Sequence, residues 1–115
     1  MQQQIDQLLT DIVDDYSNWF KKCSKTNELS GSDADRVAEF ESRLGYTEGS
    51  KYIKITMTNG GSVWGFIVNT DNDKKFRKGD ILKPAGYNAP ARNAARGNIL
   101  DGGYCIQWTG PLYLN

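Results

Sequence analysis

The first third of the chain carries its apolar residues at helical spacing. Ile5, Leu8, Leu9, Ile12, Val13, Tyr16, Trp19, Phe20 and Cys23 recur at three- and four-residue steps. Together they make one continuous stripe over about five to six turns. Asp11, Asp14 and Asp15 precede Lys21, Lys22 and Lys25, the order that suits a helix dipole. Asn27 to Gly31 is a polar break. Ser32-Asp33-Ala34-Asp35 then predicts the start of a shorter helix, with the Ser32 hydroxyl accepting from the backbone N–H near Asp35. Val37, Phe40 and Leu44 fall on one face of that helix, and Gly45 is placed to stop it in the left-handed conformation.

The period then changes. Ile53, Ile55 and Met57 alternate with Tyr52, Lys54 and Thr56, a strand with one drier face. Thr58-Asn59-Gly60-Gly61 supplies the positive φ angles of a tight hairpin, and Ser62 to Asn69 returns as a second strand. In regular alternation Trp64, Phe66 and Val68 oppose Val63, Gly65 and Ile67. Thr70 to Asp73 is a turn, Asp80 to Lys83 a short strand, and Tyr104 to Thr109 and Leu112 to Leu114 later ones. The fold class is α+β: two N-terminal helices, then an antiparallel β-sheet with a short Ala/Arg-rich helix or loop inserted. One domain, 1–115, holds a helical part at 1–45 and a sheet part at 49–115.

Lys83 to Asn98, KPAGYNAPARNAARGN, fits neither a long helix nor a central strand, because Pro84, Gly86, Pro90 and Gly97 interrupt it. Pro90 suits the first turn of a short helix over 90–96, with Asn88 as its cap and Gly97 as its end. Arg92 and Arg96 would then share a face and present forked donors suited to phosphate oxygens. Three readings stand together: a polar binding loop that includes Asn88, Asn93 and Asn98, a solvated face with acidic neighbours from the first helix, and a subunit contact. Trp64 and Phe66 either stack on a ring-bearing ligand or fill the core. Lys74 to Asp80, KKFRKGD, reads as a solvated hairpin turn in which Phe76 is the one candidate to lie over a nucleobase.

Composition sharpens this. The chain has 115 residues, 38% of them hydrophobic and 24% charged, as in a folded globular domain. Its formal net charge is zero, which argues against a general nucleic-acid coat. That zero is an average. Residues 1–50 carry five bases and ten acids, and residues 51–115 carry nine bases and four acids, a split of −5 and +5. Within 74–96 seven bases face Asp80 alone. The sequence has no histidine, which removes Ser-His-Asp and Cys-His catalysis and most zinc sites. Cys23 and Cys105 lack CxxC spacing and read as inert thiols. No apolar run reaches membrane-span length, and the N-terminus lacks the basic and apolar regions of a signal peptide. No catalytic residue, metal ligand or cofactor is expected.

The strand KYIKI (Lys51 to Ile55), the strand SVWGFI (Ser62 to Ile67) and GDILKPAGYNAPARNAARGNI (Gly79 to Ile99) together resemble small phage proteins. Among these the pattern is similar to that of the type 1 Thoeris anti-defence family, phage proteins that act as sponges for a cyclic ADP-ribose signal. The resemblance covers Lys51 to Leu114 and does not extend to the N-terminal helices. It implies a non-catalytic protein in the cytoplasm of the infected bacterial host, which sequesters the signal of a TIR-domain enzyme and keeps the defence effector inactive. Members are similar in forming homo-oligomers with pockets between subunits, and some also bind cyclic oligonucleotides. Carried onto this chain, the ligand-binding residues are Lys83, Asn88, Arg92, Asn93, Arg96 and Asn98, with Trp64 and Phe66 for stacking. Two other functions compete: a phage nucleic-acid-binding or virion accessory protein using the basic 74–96 stretch, and a pure interaction module.

Overall fold

A computed structural model describes residues 2–24, 31–57, 61–92, 94–102 and 106–111. Two helices, α1 (Gln2–Ser24) and α2 (Gly31–Arg43), precede a four-stranded antiparallel sheet of order β1-β2-β3-β4. Its strands are β1 (Gly45–Glu48), β2 (Tyr52–Met57), β3 (Ser62–Val68) and β4 (Ile81–Leu82). Two small hairpins follow, β5 (Pro84–Gly86) with β6 (Ala89–Pro90) and β7 (Ile106–Gln107) with β8 (Gly110–Pro111). The fold is α+β.

The helical stripe has the partner its spacing demands. Ile5, Leu8 and Ile12 are buried against Ile53, Ile55, Trp64, Ile67 and Ile81 of the sheet, and Phe40 of α2 and Leu44 just after it pack on the same core. Each such aliphatic side chain contributes about 1.5–3 kcal/mol on burial. Two polar contacts fix the approach of α1: the Tyr46 hydroxyl donates to Gln2 Oε1 at 2.8 Å, and the Trp108 backbone N–H donates to Asp15 Oδ2 at 2.8 Å. The start of α2 falls at Gly31, one residue before the expected cap. Gly45 does not stop the helix in a left-handed turn. It opens β1, whose residues Gly45 to Glu48 pair with Thr56 to Ile53 of β2. That strand escapes a hydrophobic-pattern reading because Tyr46 is its only large apolar residue.

One irregularity sets the layout of β3. Ile55 pairs with Gly65 while Thr56 pairs with Val63, so Trp64 is an extra residue in a β-bulge. The bulge breaks the expected alternation. Trp64 joins Ile67 on the helix side, whereas Phe66 and Val68 belong to a second core on the opposite face with Phe76 and Leu82. The Asn59-Gly60 turn lies outside the described residues.

The expected helix over 90–96 does not form. Instead the chain runs along the open edge of β4: Arg96 N–H donates to Ile81 C=O at 2.7 Å, and Ile81 N–H donates to Gly97 C=O at 2.8 Å. Asp80 and Asn98 form an antiparallel bridge, and Ala91 N–H donates to Lys83 C=O. Backbone pairing at a sheet edge outcompetes a two-turn helix, which is marginal alone. The insertion is therefore a loop. Gly79 enables it, with φ +93 and a Cβ position 2.8 Å from Asn98 Oδ1 and 3.0 Å from Leu100 Cγ. Trp108 and Thr109 form a turn within the stretch expected as the strand Tyr104 to Thr109, while 103–105 and 112–115, with the expected strand Leu112 to Leu114, lie outside the described residues.

Candidate ligand groove

Helical spacing on α2 brings Arg36, Glu39, Phe40 and Arg43 to one face, over successive turns. Tyr16 of α1, Met57 at the end of β2 and Trp108 in the β7–β8 turn complete a groove of about 320 Å³. Its floor is aromatic. Tyr16 and Phe40 stack with centroids 4.3 Å apart, Trp108 meets Tyr16 edge-on at 4.8 Å, and Phe40 meets Trp108 at 6.2 Å. Trp108 owes its place to the hydrogen bond from its backbone to Asp15. Trp19, 44% exposed, extends the aromatic surface past Trp108 at 5.7 Å.

The rim of the groove is charged. Arg43 pairs with Glu39 one turn away, with both side chains about half exposed. Arg36 makes no ion pair with any described residue. Seven residues apart on one helix, the two arginines stand about 10 Å from each other along the axis. The combination offers ring faces for stacking and forked donors for an anion, in a volume at the lower end of small-molecule sites. The sequence contained a signal for it, the paired stripes of α1 and α2, but not the Trp108 turn that closes the wall.

The residues singled out from sequence are scattered, with Trp64 in the helix-side core and Phe66 in the core of the opposite face, and those described do not line this groove. Trp64 is 0% exposed and donates Nε1–H to Gln107 C=O at 2.8 Å, and Phe66 is 2% exposed. Both fill the core, and neither ring is open to a ligand. Asn98 is buried and structural: Nδ2 donates to Lys78 C=O and Asp80 Oδ1, and Oδ1 accepts from Leu100 N–H. Asn88, at the β5–β6 turn, accepts from Lys54 Nζ at 2.8 Å, and that ammonium also lies 4.1 Å from the Tyr87 ring centroid. Lys83 is half-buried, and Arg96 donates Nε–H to Ala94 C=O. Asn93 lies outside the described residues.

Arg92 is committed within the molecule, and its acidic partner comes from the 70–73 turn instead of the first helix. Both of its terminal nitrogens reach Asp73 at 2.9 Å, and Nη1 also donates to the Tyr52 hydroxyl. The guanidinium lies 5.0 Å from the centroid of the buried Phe76 ring. Phe76 is thereby covered from inside the protein. Asp73 in turn accepts from the backbone N–H of Lys75 and of Phe76. The Arg92 hydrogen bonds, then these two, hold the Asp73 carboxyl far below the usual carboxylate range, and the same pairing raises Arg92. On the same loop Arg77 pairs with Asp101 at 2.8 Å.

The chain thus combines an α+β fold with an aromatic groove rimmed by arginines. By sequence the chain belongs, over residues 1–114, to a family of unknown function, DUF7717. No curated protein and no solved structure matches it. Among the described residues no helix is long and apolar enough to cross a membrane.

Proposed function

We infer that the groove between α1, α2 and the β7–β8 turn holds a small anionic molecule with a planar ring, of the nucleotide class, and holds it without turnover. The observation that carries this reading is the wall of Tyr16, Phe40 and Trp108 beside Arg36 and Arg43. A base stacked on such a wall gains about 1–3 kcal/mol, and the guanidiniums suit phosphate oxygens. With no histidine in the chain, the chemistry present favours holding a ligand over cleaving it. The finer reading rests on the motif resemblance of Lys51 to Leu114. In it the protein is a phage-encoded Thoeris inhibitor in the host cytoplasm, a homo-oligomer that sequesters a cyclic ADP-ribose-type signal.

The test is direct. Purified protein is incubated with cyclic ADP-ribose, freed of excess ligand and denatured, and the released small molecules are weighed by mass spectrometry. Intact nucleotide in stoichiometric amount is expected. Recovery of a cleaved product, or of no nucleotide at all, overturns the proposal. The competing nucleic-acid reading through 74–96 is weakened because Arg77 and Arg92 of that stretch already face Asp101 and Asp73. Its mark would be single-stranded DNA binding with a steep salt dependence.

A further inference from the structure

The acidic helices and the basic 74–78 turn end up on opposite faces of the sheet. α1 and α2 cover the face of Ile53, Ile55 and Ile67, while the turn carrying Phe76 covers the face of Phe66 and Val68. On the helix side, Leu9, Thr10, Val13 and Leu44 floor a second groove of about 240 Å³, and Asp14 and Glu41 stand at its rim. Neither carboxylate makes an ion pair with a described residue. An apolar floor with an acidic rim matches the shape of a lysine side chain, whose methylene stem lies on apolar surface while its ammonium stays at the edge.

The opposite face presents such lysines on a held turn. Asp73 fixes the backbone at Lys75 and Phe76, and Asp80 accepts from Arg77 N–H at 2.9 Å. Lys75 Nζ is engaged with Arg92 C=O, and Arg77 with Asp101. Lys74 and Lys78 remain without an ion pair to any described residue. We propose that the α1–α2 groove rimmed by Asp14 and Glu41 docks the Lys74–Lys78 turn of a second copy of this chain. Because groove and turn face away from each other, a two-fold pair cannot satisfy both contacts. The association is head-to-tail, and each added copy leaves one groove and one turn open.

The experiment measures mass against protein concentration by sedimentation. At about 0.01 M salt the mean mass is expected to keep rising with concentration, and at about 1 M, where the Debye length is about 3 Å, to fall to that of a monomer. Asp14→Lys with Glu41→Lys, and separately Lys74→Glu with Lys78→Glu, should each weaken association at least about tenfold. An equal mixture of the two variants should restore it, since each then offers the charge the other lacks. Far-UV circular dichroism checks that both are folded, and the milder Asp14→Asn with Glu41→Gln should shift association in the same direction. A monomer at every salt concentration overturns the proposal, as does a mass that saturates at a dimer, an assembly indifferent to salt, or a mixture that fails to reassociate.

Discussion

Asp73 grips Arg92 with both carboxylate oxygens while the same oxygen that meets Nη2 caps the backbone at Lys75 and Phe76. One side chain, 9% exposed, thereby joins the turn at 73–76 to the chain that lies beyond β6. Its carboxyl titrates below the ordinary 3.8 because the charged form is the one that is hydrogen-bonded. A depressed folded-state pKa stabilises the fold above the unfolded value, and that contribution fades as pH falls through the folded one. Asp73→Asn should therefore lower the thermal midpoint at pH 7. The gap to the natural protein should narrow progressively below about pH 4, as followed by circular dichroism melts across the acid range.

Arg92→Ala should act on stability. The substitution strips Asp73 of its partner and uncovers Phe76, so the urea midpoint should drop. Nucleotide capture, measured on folded protein, should stay within about twofold. By contrast, Trp108→Ala and Arg36→Ala should each weaken capture about tenfold or more, read by equilibrium dialysis against cyclic ADP-ribose.

Trp64→Ala should cost about 3–5 kcal/mol, the usual range for emptying an aromatic core site. Trp64→Phe separates the ring from its polar atom: it keeps most of the volume and leaves Gln107 C=O without its indole donor. A loss of about 1 kcal/mol is expected from that hydrogen bond. Urea unfolding of both variants, with unchanged slope, checks the two values.

Gly79→Ala should destabilise by more than about 1 kcal/mol. At φ +93 a side chain is strained, and its Cβ would press on the Asn98 amide that organises the turn. Gly86→Ala serves as the control, since its Cβ would meet nothing within 4 Å. Parallel urea titrations of the two should separate by the predicted amount.

How much of this was legible in the sequence follows from which forces act locally. The α1 stripe, α2 and the β2–β3 pair were readable because burial imposes a period on them. Strand β1 was not, since a four-residue edge strand owes its place to backbone pairing with β2 and leaves little hydrophobic signature. The 90–96 segment misled for a related reason. Pro90, the alanines and the spacing of Arg92 and Arg96 favour a helix locally, yet Ile81 offers backbone partners that only the fold brings near. The groove was half legible: Tyr16 and Phe40 sit on recognisable stripes, while Trp108 arrives through Asp15, 93 residues away in sequence.

The extra residue at Trp64 works as a phase switch for the whole sheet. A regular strand threaded through Ser62 to Val68 would send alternate residues to alternate faces throughout, and a slip by one position would exchange them all. Here the indole is keyed into the helix-side core and tethered to Gln107, so neither slip leaves it housed. The bulge thus indexes β3 against β2 and keeps the helical layer and the Phe76 turn on their own sides.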